Sequence, residues 1–191
     1  YWWDTRNRKA YIFNPSSPSS KPKTLYDRNY QDIYSDPGSF LKTRNTFNKN
    51  VLMLHKGSAF LRGAGFSEEG QFPFIDKVNI TTLNKSRVYQ SKYKDKVEAI
   101  QDYNPATNEL IVRIESPTEY PNYYSKKTNG KKLSKITDFE NPFEELQNVK
   151  KEVITYKRDD GLELSGILYL PINYDEEKKE KAPMILWAYP R

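Results

Sequence analysis

VEAIQDYNPATNELIVRIESPTEYPNYYSKKTNGKKLSKI, residues 97–136, decides the fold. Four β-like runs, 97–100, 109–114, 122–125 and 132–136, are rich in Val, Ile and Tyr, whose branched or flat side chains suit a pleated surface. Turn chemistry separates them. Tyr103-Asn-Pro-Ala-Thr-Asn108 is a turn-rich connector, and Asn129-Gly130 is a strong signal for a tight hairpin, because both residues tolerate positive φ. Four runs joined by short turns describe one small antiparallel sheet.

Working toward the amino terminus, the same order of events recurs. Runs at 40–43, 51–54, 72–80 and 87–89, with Thr81-Thr-Leu-Asn84 as a turn before the last, make a second block. Strand-turn order thus repeats with a period of about fifty residues, as the blades of a β-propeller do. Before it, Tyr1-Trp-Trp-Asp4 meets the polar turn Thr5-Arg-Asn-Arg8, residues 10–13 return as a strand, and Lys23-Thr-Leu-Tyr26 resumes after the Pro/Ser loop 14–20. Asp36-Pro-Gly38 reads as a turn between blades, since Pro presets φ and Gly accepts positive φ. Trp2 and Trp3 are adjacent on a strand, so they face opposite ways and form no single stacking platform. The expected fold is mainly β: a partial β-propeller of about two and a half four-stranded blades. A β-sandwich of about ten strands fits the periodicity as well. Open sheet edges in either case favour self-association.

Beyond residue 136 the character changes. Asp138-Phe-Glu-Asn-Pro-Phe143 breaks the pattern, and residues 144–149 read as one helical turn or a linker. Residues 152–157 and 162–170 then flank Arg158-Asp-Asp-Gly161, a hairpin with an Asp-Gly turn. After the charged loop 176–181, Met184-Ile-Leu-Trp-Ala-Tyr-Pro-Arg191 reads as a buried strand, the kind that needs a sheet covered on both faces. The chain is accordingly expected to be a segment of a larger protein.

Composition narrows the chemistry. Fifteen Tyr, nine Phe and three Trp dominate the candidate core. The formal charge is +6, from 31 basic and 25 acidic residues, but it is spread along the chain. Its densest cluster, Lys126, Lys127, Lys131, Lys132 and Lys135, surrounds Asn129-Gly130 and reads as a solvated hairpin; with no aromatic platform inside it, a nucleic-acid partner is not expected. Cysteine is absent, which excludes disulfides, thiolate chemistry and cysteine-ligated metals. The one histidine, His55, closes a strand run and reads as an ordinary strand-end side chain, so no two-His metal site forms, and no cofactor is expected. No run of about 20 apolar residues marks a membrane span. Compartment stays open.

Several strings resemble a known family. "NPF" at 141–143, "YKRDDGLELSGILYLPINYD" at 156–175 and "KAPMILWAYPR" at 181–191 are similar to the junction between propeller and α/β-hydrolase domain in prolyl oligopeptidase family serine peptidases. "YWWDTRNRKAYIF" at 1–13, "YDRNYQDIYSDPGS" at 26–39 and "GFSEEGQFPFID" at 65–76 look most like its glutamyl-peptidase branch. The resemblance implies that residues 1–140 are the C-terminal part of a propeller, 141–150 a linker, and 151–191 the first strands of a hydrolase domain. It implies a peptide substrate and a Ser-His-Asp triad beyond the last residue here; the nucleophile elbow Gly-x-Ser-x-Gly is absent from this sequence. By itself, such a segment is expected to be inactive.

Two residues are carried forward by the resemblance. Tyr189 matches the position of a phenol that helps form the oxyanion hole, although Pro190-Arg191 stand where many relatives have glycines. Arg62, flanked by Leu61 and Gly63, is the candidate to meet a substrate carboxylate; its alternative is a surface or inter-blade arginine. Glu68-Glu69 lies in the glycine-bounded Gly65-Phe-Ser-Glu-Glu-Gly70 and reads as a solvated turn. A stand-alone β-rich module binding a protein or glycan is the alternative to the peptidase.

Overall fold

The computed structural model describes residues 1–175, 177–178 and 181–188, and the chain divides into two units, Tyr1–Glu140 and a second beginning at Asn141. The first unit opens with β1 (Asn7–Ile12) paired antiparallel to β2 (Lys23–Asn29). Trp2 and Trp3 are both exposed, and the Arg6 guanidinium lies 4.2 Å from the centre of the Trp3 ring.

Two larger antiparallel sheets follow. The first contains β3 (Ser39–Phe40), β6 (Leu54–His55), β7 (Ser58–Gly63), β10 (Phe74–Asn79) and β11 (Lys85–Gln90), in the order β11-β10-β7-β3 with β6 also on β7. Two small ladders stand apart from it, β4 (Lys42–Arg44) with β5 (Asn50–Leu52) and β8 (Phe66–Ser67) with β9 (Gly70–Gln71). The second sheet is a four-stranded meander of β12 (Val97–Asn104), β13 (Glu109–Glu115), β14 (Asn122–Lys127) and β15 (Leu133–Lys135). The mainly β expectation is met, and no sheet closes on itself among the described residues.

The first sheet has five strands where four were expected, and its most buried strand was missed. Ser58-Ala-Phe-Leu-Arg-Gly63 ends on a glycine and is flanked by Gly57 and Gly65. In fact Gly63 belongs to the strand because the Phe74 ring sits on it: a Cβ there would lie 2.2 Å from the ring. The run expected at 51–54 is divided, residues 50–52 joining β4 and residues 54–55 joining β7. The turn expected at Asp36-Pro-Gly38 falls just before it, at Tyr34 and Ser35; the Gly38 amide donates to Asp36 Oδ1 at 2.8 Å, and that glycine is required twice over. Its φ is +82°, and a Cβ would lie 2.3 Å from the Arg62 carbonyl oxygen.

The two sheets bury one core. On β13, Leu110, Val112 and Ile114 point inward at every second position, meeting Phe60 and Ile75 from the first sheet and Ile100 and Tyr103 from β12. Phe60 and Tyr103 meet edge to face, 5.3 Å apart.

In the second unit a single 3-10 turn, Glu144–Leu146, precedes the hairpin of β16 (Lys150–Lys157) and β17 (Glu163–Leu170). Its turn is the expected one: the Gly161 amide donates to the Arg158 carbonyl, and the Arg158 amide to Leu162. The strand expected at 184–191 is a correction for the described part, since residues 184–188 pair with no strand and Met184 to Trp187 are exposed.

Candidate functional site

The seam between the two sheets carries the densest chemistry. On β12, Glu98 shares its face with Ile100, so the alternation that buries one buries the other. On β14, Lys126 is opposite Leu110 and Leu133, and it extends toward that same seam. From the first sheet, β11 delivers Tyr89. These three close a ring: the Tyr89 phenol donates to Glu98 Oε2 at 2.6 Å, and Lys126 Nζ donates to Glu98 Oε1 at 3.1 Å and to the Tyr89 oxygen at 2.7 Å. The lysine ammonium also sits 4.9 Å from the Tyr89 ring centre and 5.4 Å from that of Tyr93.

Burial makes this arrangement consequential. The Glu98 side chain is 0% exposed and that of Lys126 12%. A buried carboxylate is tolerable only when paired and hydrogen-bonded, and both conditions hold. Desolvation first, and the Glu98 carboxylate second, push the Tyr89 phenol well above its ordinary value, so it stays protonated and keeps donating. The carboxylate is fully buried, and the phenol and ammonium are spent on it and on each other. It fastens two sheets.

A second fastening lies deeper in sequence separation. Arg62 Nη1 donates to the carbonyls of Ile100 at 3.0 Å and Gln101 at 2.6 Å, joining β7 to β12. Asp76, buried on β10, receives Arg87 Nε at 2.5 Å and Lys85 Nζ at 3.5 Å. Arg87 also lies 3.9 Å from the centre of the Phe74 ring. Above the Tyr89–Glu98–Lys126 ring the seam opens as a cleft of about 690 Å³ between β11 and the turn joining β14 to β15.

The sequence-predicted residues are therefore scattered. Arg62 is at the seam with Nη1 committed to two backbone carbonyls. His55 ends β6 opposite Ser58, as a strand-end histidine. Glu69 meets Lys94 at 3.3 Å in open solvent, as a turn residue. Tyr189 lies outside the described residues. The lysine cluster needs a correction: Lys126 is largely withdrawn from solvent beside two tyrosines and paired, while Lys127, Lys131, Lys132 and Lys135 stay on the surface. Glu98 was missed, although its two-residue spacing from Ile100 was the available signal. Among the described residues no three His, Cys, Asp or Glu side chains are placed to hold a metal ion, and no helix is long and apolar enough to cross a membrane.

Comparison with known proteins adds a relationship that the seam does not contain. No family model matches the chain. It is 33% identical over 99% of its length to a protein named probable glutamyl endopeptidase, chloroplastic, of Arabidopsis thaliana, and 34% identical over 99% to one of the same name from Oryza sativa subsp. japonica. The chain spans 21% and 22% of those proteins. Among solved structures, AtxE2 isopeptidase is matched with Astexin3-dC4 bound and in its apo form, at TM-score 0.36 over 71% of this chain and 22% of that one, with 13% and 14% identity. The chain is thus similar, along almost its whole length, to about a fifth of two proteins named as glutamyl endopeptidases.

Proposed function

We propose that the chain is the portion of a serine-type peptidase, of the prolyl oligopeptidase kind, in which the end of a β-propeller cap passes into an α/β-hydrolase domain. The observation that carries this reading is the identity of about one residue in three, sustained over 99% of the chain, with two proteins named glutamyl endopeptidases. In this reading residues 1–140 are cap, 141–150 linker and 151–191 entry strands, and the substrate is a peptide. In this reading the nucleophile, its histidine and its aspartate lie outside the 191 residues, which hold no Gly-x-Ser-x-Gly.

Tyr189 is then a donor to the tetrahedral oxyanion. Arg62 is the basic group to test against a substrate carboxylate, since three of its five N–H donors are not used by the bonds to Ile100 and Gln101. The test is fluorophosphonate labelling of the protein encoded by the whole reading frame beside the 191-residue chain. Labelling is expected in the first and absent in the second. Within the labelled protein, Tyr189→Phe is expected to lower turnover of a glutamyl peptide about 100-fold to 1000-fold. A whole protein that takes no label overturns the peptidase reading, and unchanged turnover in the Phe variant overturns the role of Tyr189.

A further inference from the structure

We propose that the cleft between β11 and the β14–β15 turn is a docking site for an acidic, extended peptide segment of another protein. The cleft is lined by Arg87, Lys92, Lys126 and Lys131 and by no carboxylate. Two of these cations are already matched by buried carboxylates, Arg87 by Asp76 and Lys126 by Glu98, which holds them in place. The other two differ. Lys92 and Lys131 are exposed and carry no carboxylate partner among the described residues, so their charge is uncompensated. A concave surface of one sign, with low-dielectric walls, concentrates ligands of the other sign.

The shape of the occupant follows from the strands. β11 and β15 are the outermost members of their sheets, so each turns an unpaired backbone edge outward. An extended peptide adds to such an edge through main-chain hydrogen bonds, while alternate side chains reach to one side. Carboxylates at those positions would meet Lys92 and Lys131. Nucleic acid fits less well, because single strands are held by bases stacking on open aromatic faces, and here the Tyr89 and Tyr93 rings are taken by the Lys126 ammonium. A second copy of this chain fits less well too, since its net charge is +6.

The test uses the full 191-residue chain and a fluorescein-labelled peptide of alternating glutamate and threonine, read by fluorescence anisotropy at about 0.15 M salt. The double variant Lys92→Glu/Lys131→Glu is expected to weaken binding about tenfold or more, and Lys92→Gln/Lys131→Gln about threefold to fivefold. Lys21→Glu, in the loop between β1 and β2, is expected to change it by less than about twofold. The isosteric glutamine–threonine peptide is expected not to bind. Far-UV circular dichroism establishes that each variant is folded, and because both lysines are exposed the neutral pair retains the fold even if the reversed pair does not. The proposal is overturned if the double variants bind as the parent does, if the glutamine peptide binds equally, or if single-stranded DNA of equal charge binds more tightly and displaces the peptide.

Discussion

Replacing Lys126 by methionine keeps most of the unbranched apolar stem and removes the charge, which isolates what the ion pair does at the seam. Glu98 is then left with 0% exposure and only the Tyr89 phenol, 2.6 Å away, as a partner. Removing one member of a buried pair costs about 3–5 kcal/mol. Urea denaturation followed by circular dichroism at pH 7 reads the loss. Lys126→Met is expected to lose about 3–5 kcal/mol. Adding Glu98→Gln, which takes away the stranded charge, is expected to restore most of that loss. A loss under about 1 kcal/mol, or a double variant as unstable as the single one, refutes the ion-pair account.

Other outcomes follow from the same geometry. Arg62→Met removes the two bonds to the Ile100 and Gln101 carbonyls and is expected to lower stability by about 2–3 kcal/mol in the same denaturation assay; a loss under about 0.5 kcal/mol contradicts the fastening role. Gly63→Ala drives a methyl group into the Phe74 ring, and an expected cost of about 1–3 kcal/mol should be partly relieved by adding Phe74→Leu. Tyr89 is raised by burial, so its contribution is complete below the ordinary phenol value of about 10 and is lost as the pH climbs beyond it. Stability titrated from pH 8 upward should therefore fall less steeply in Tyr89→Phe than in the parent, and identical slopes would exclude the phenol as a source.

Much of this was legible in the sequence and some was not, for reasons that individual residues make plain. The meander from Val97 to Lys135 was readable because period-two alternation and turn chemistry agree along it, as in Leu110, Val112 and Ile114 ahead of Asn129-Gly130. The strand Ser58–Gly63 was not, because its glycines signal a turn locally and serve a packing contact with Phe74 that only the folded sheet reveals. Lys126 was hidden by its company. Within a run of surface lysines, nothing but strand parity distinguished the one that faces Glu98. Arg62 was noticed for its charge, yet its neighbours from β12 lie 38 and 39 residues away in sequence, a separation that no local pattern reports.

That separation has a kinetic consequence. Within each sheet neighbouring strands are joined mostly by short turns, so ladders such as β12 to β15 are assembled from contacts close in sequence, which form early and cheaply. The seam contacts of Arg62 with Ile100 and Gln101 and of Lys126 with Tyr89 close loops of 37 to 39 residues and carry the entropy of doing so. Docking of two preformed meanders is then the slow event. Substitutions at Arg62 and Lys126 should mainly speed unfolding, with φ-values near zero, while substitutions at Val112 should slow folding. The seam would act as the last fastening to close and the first to open.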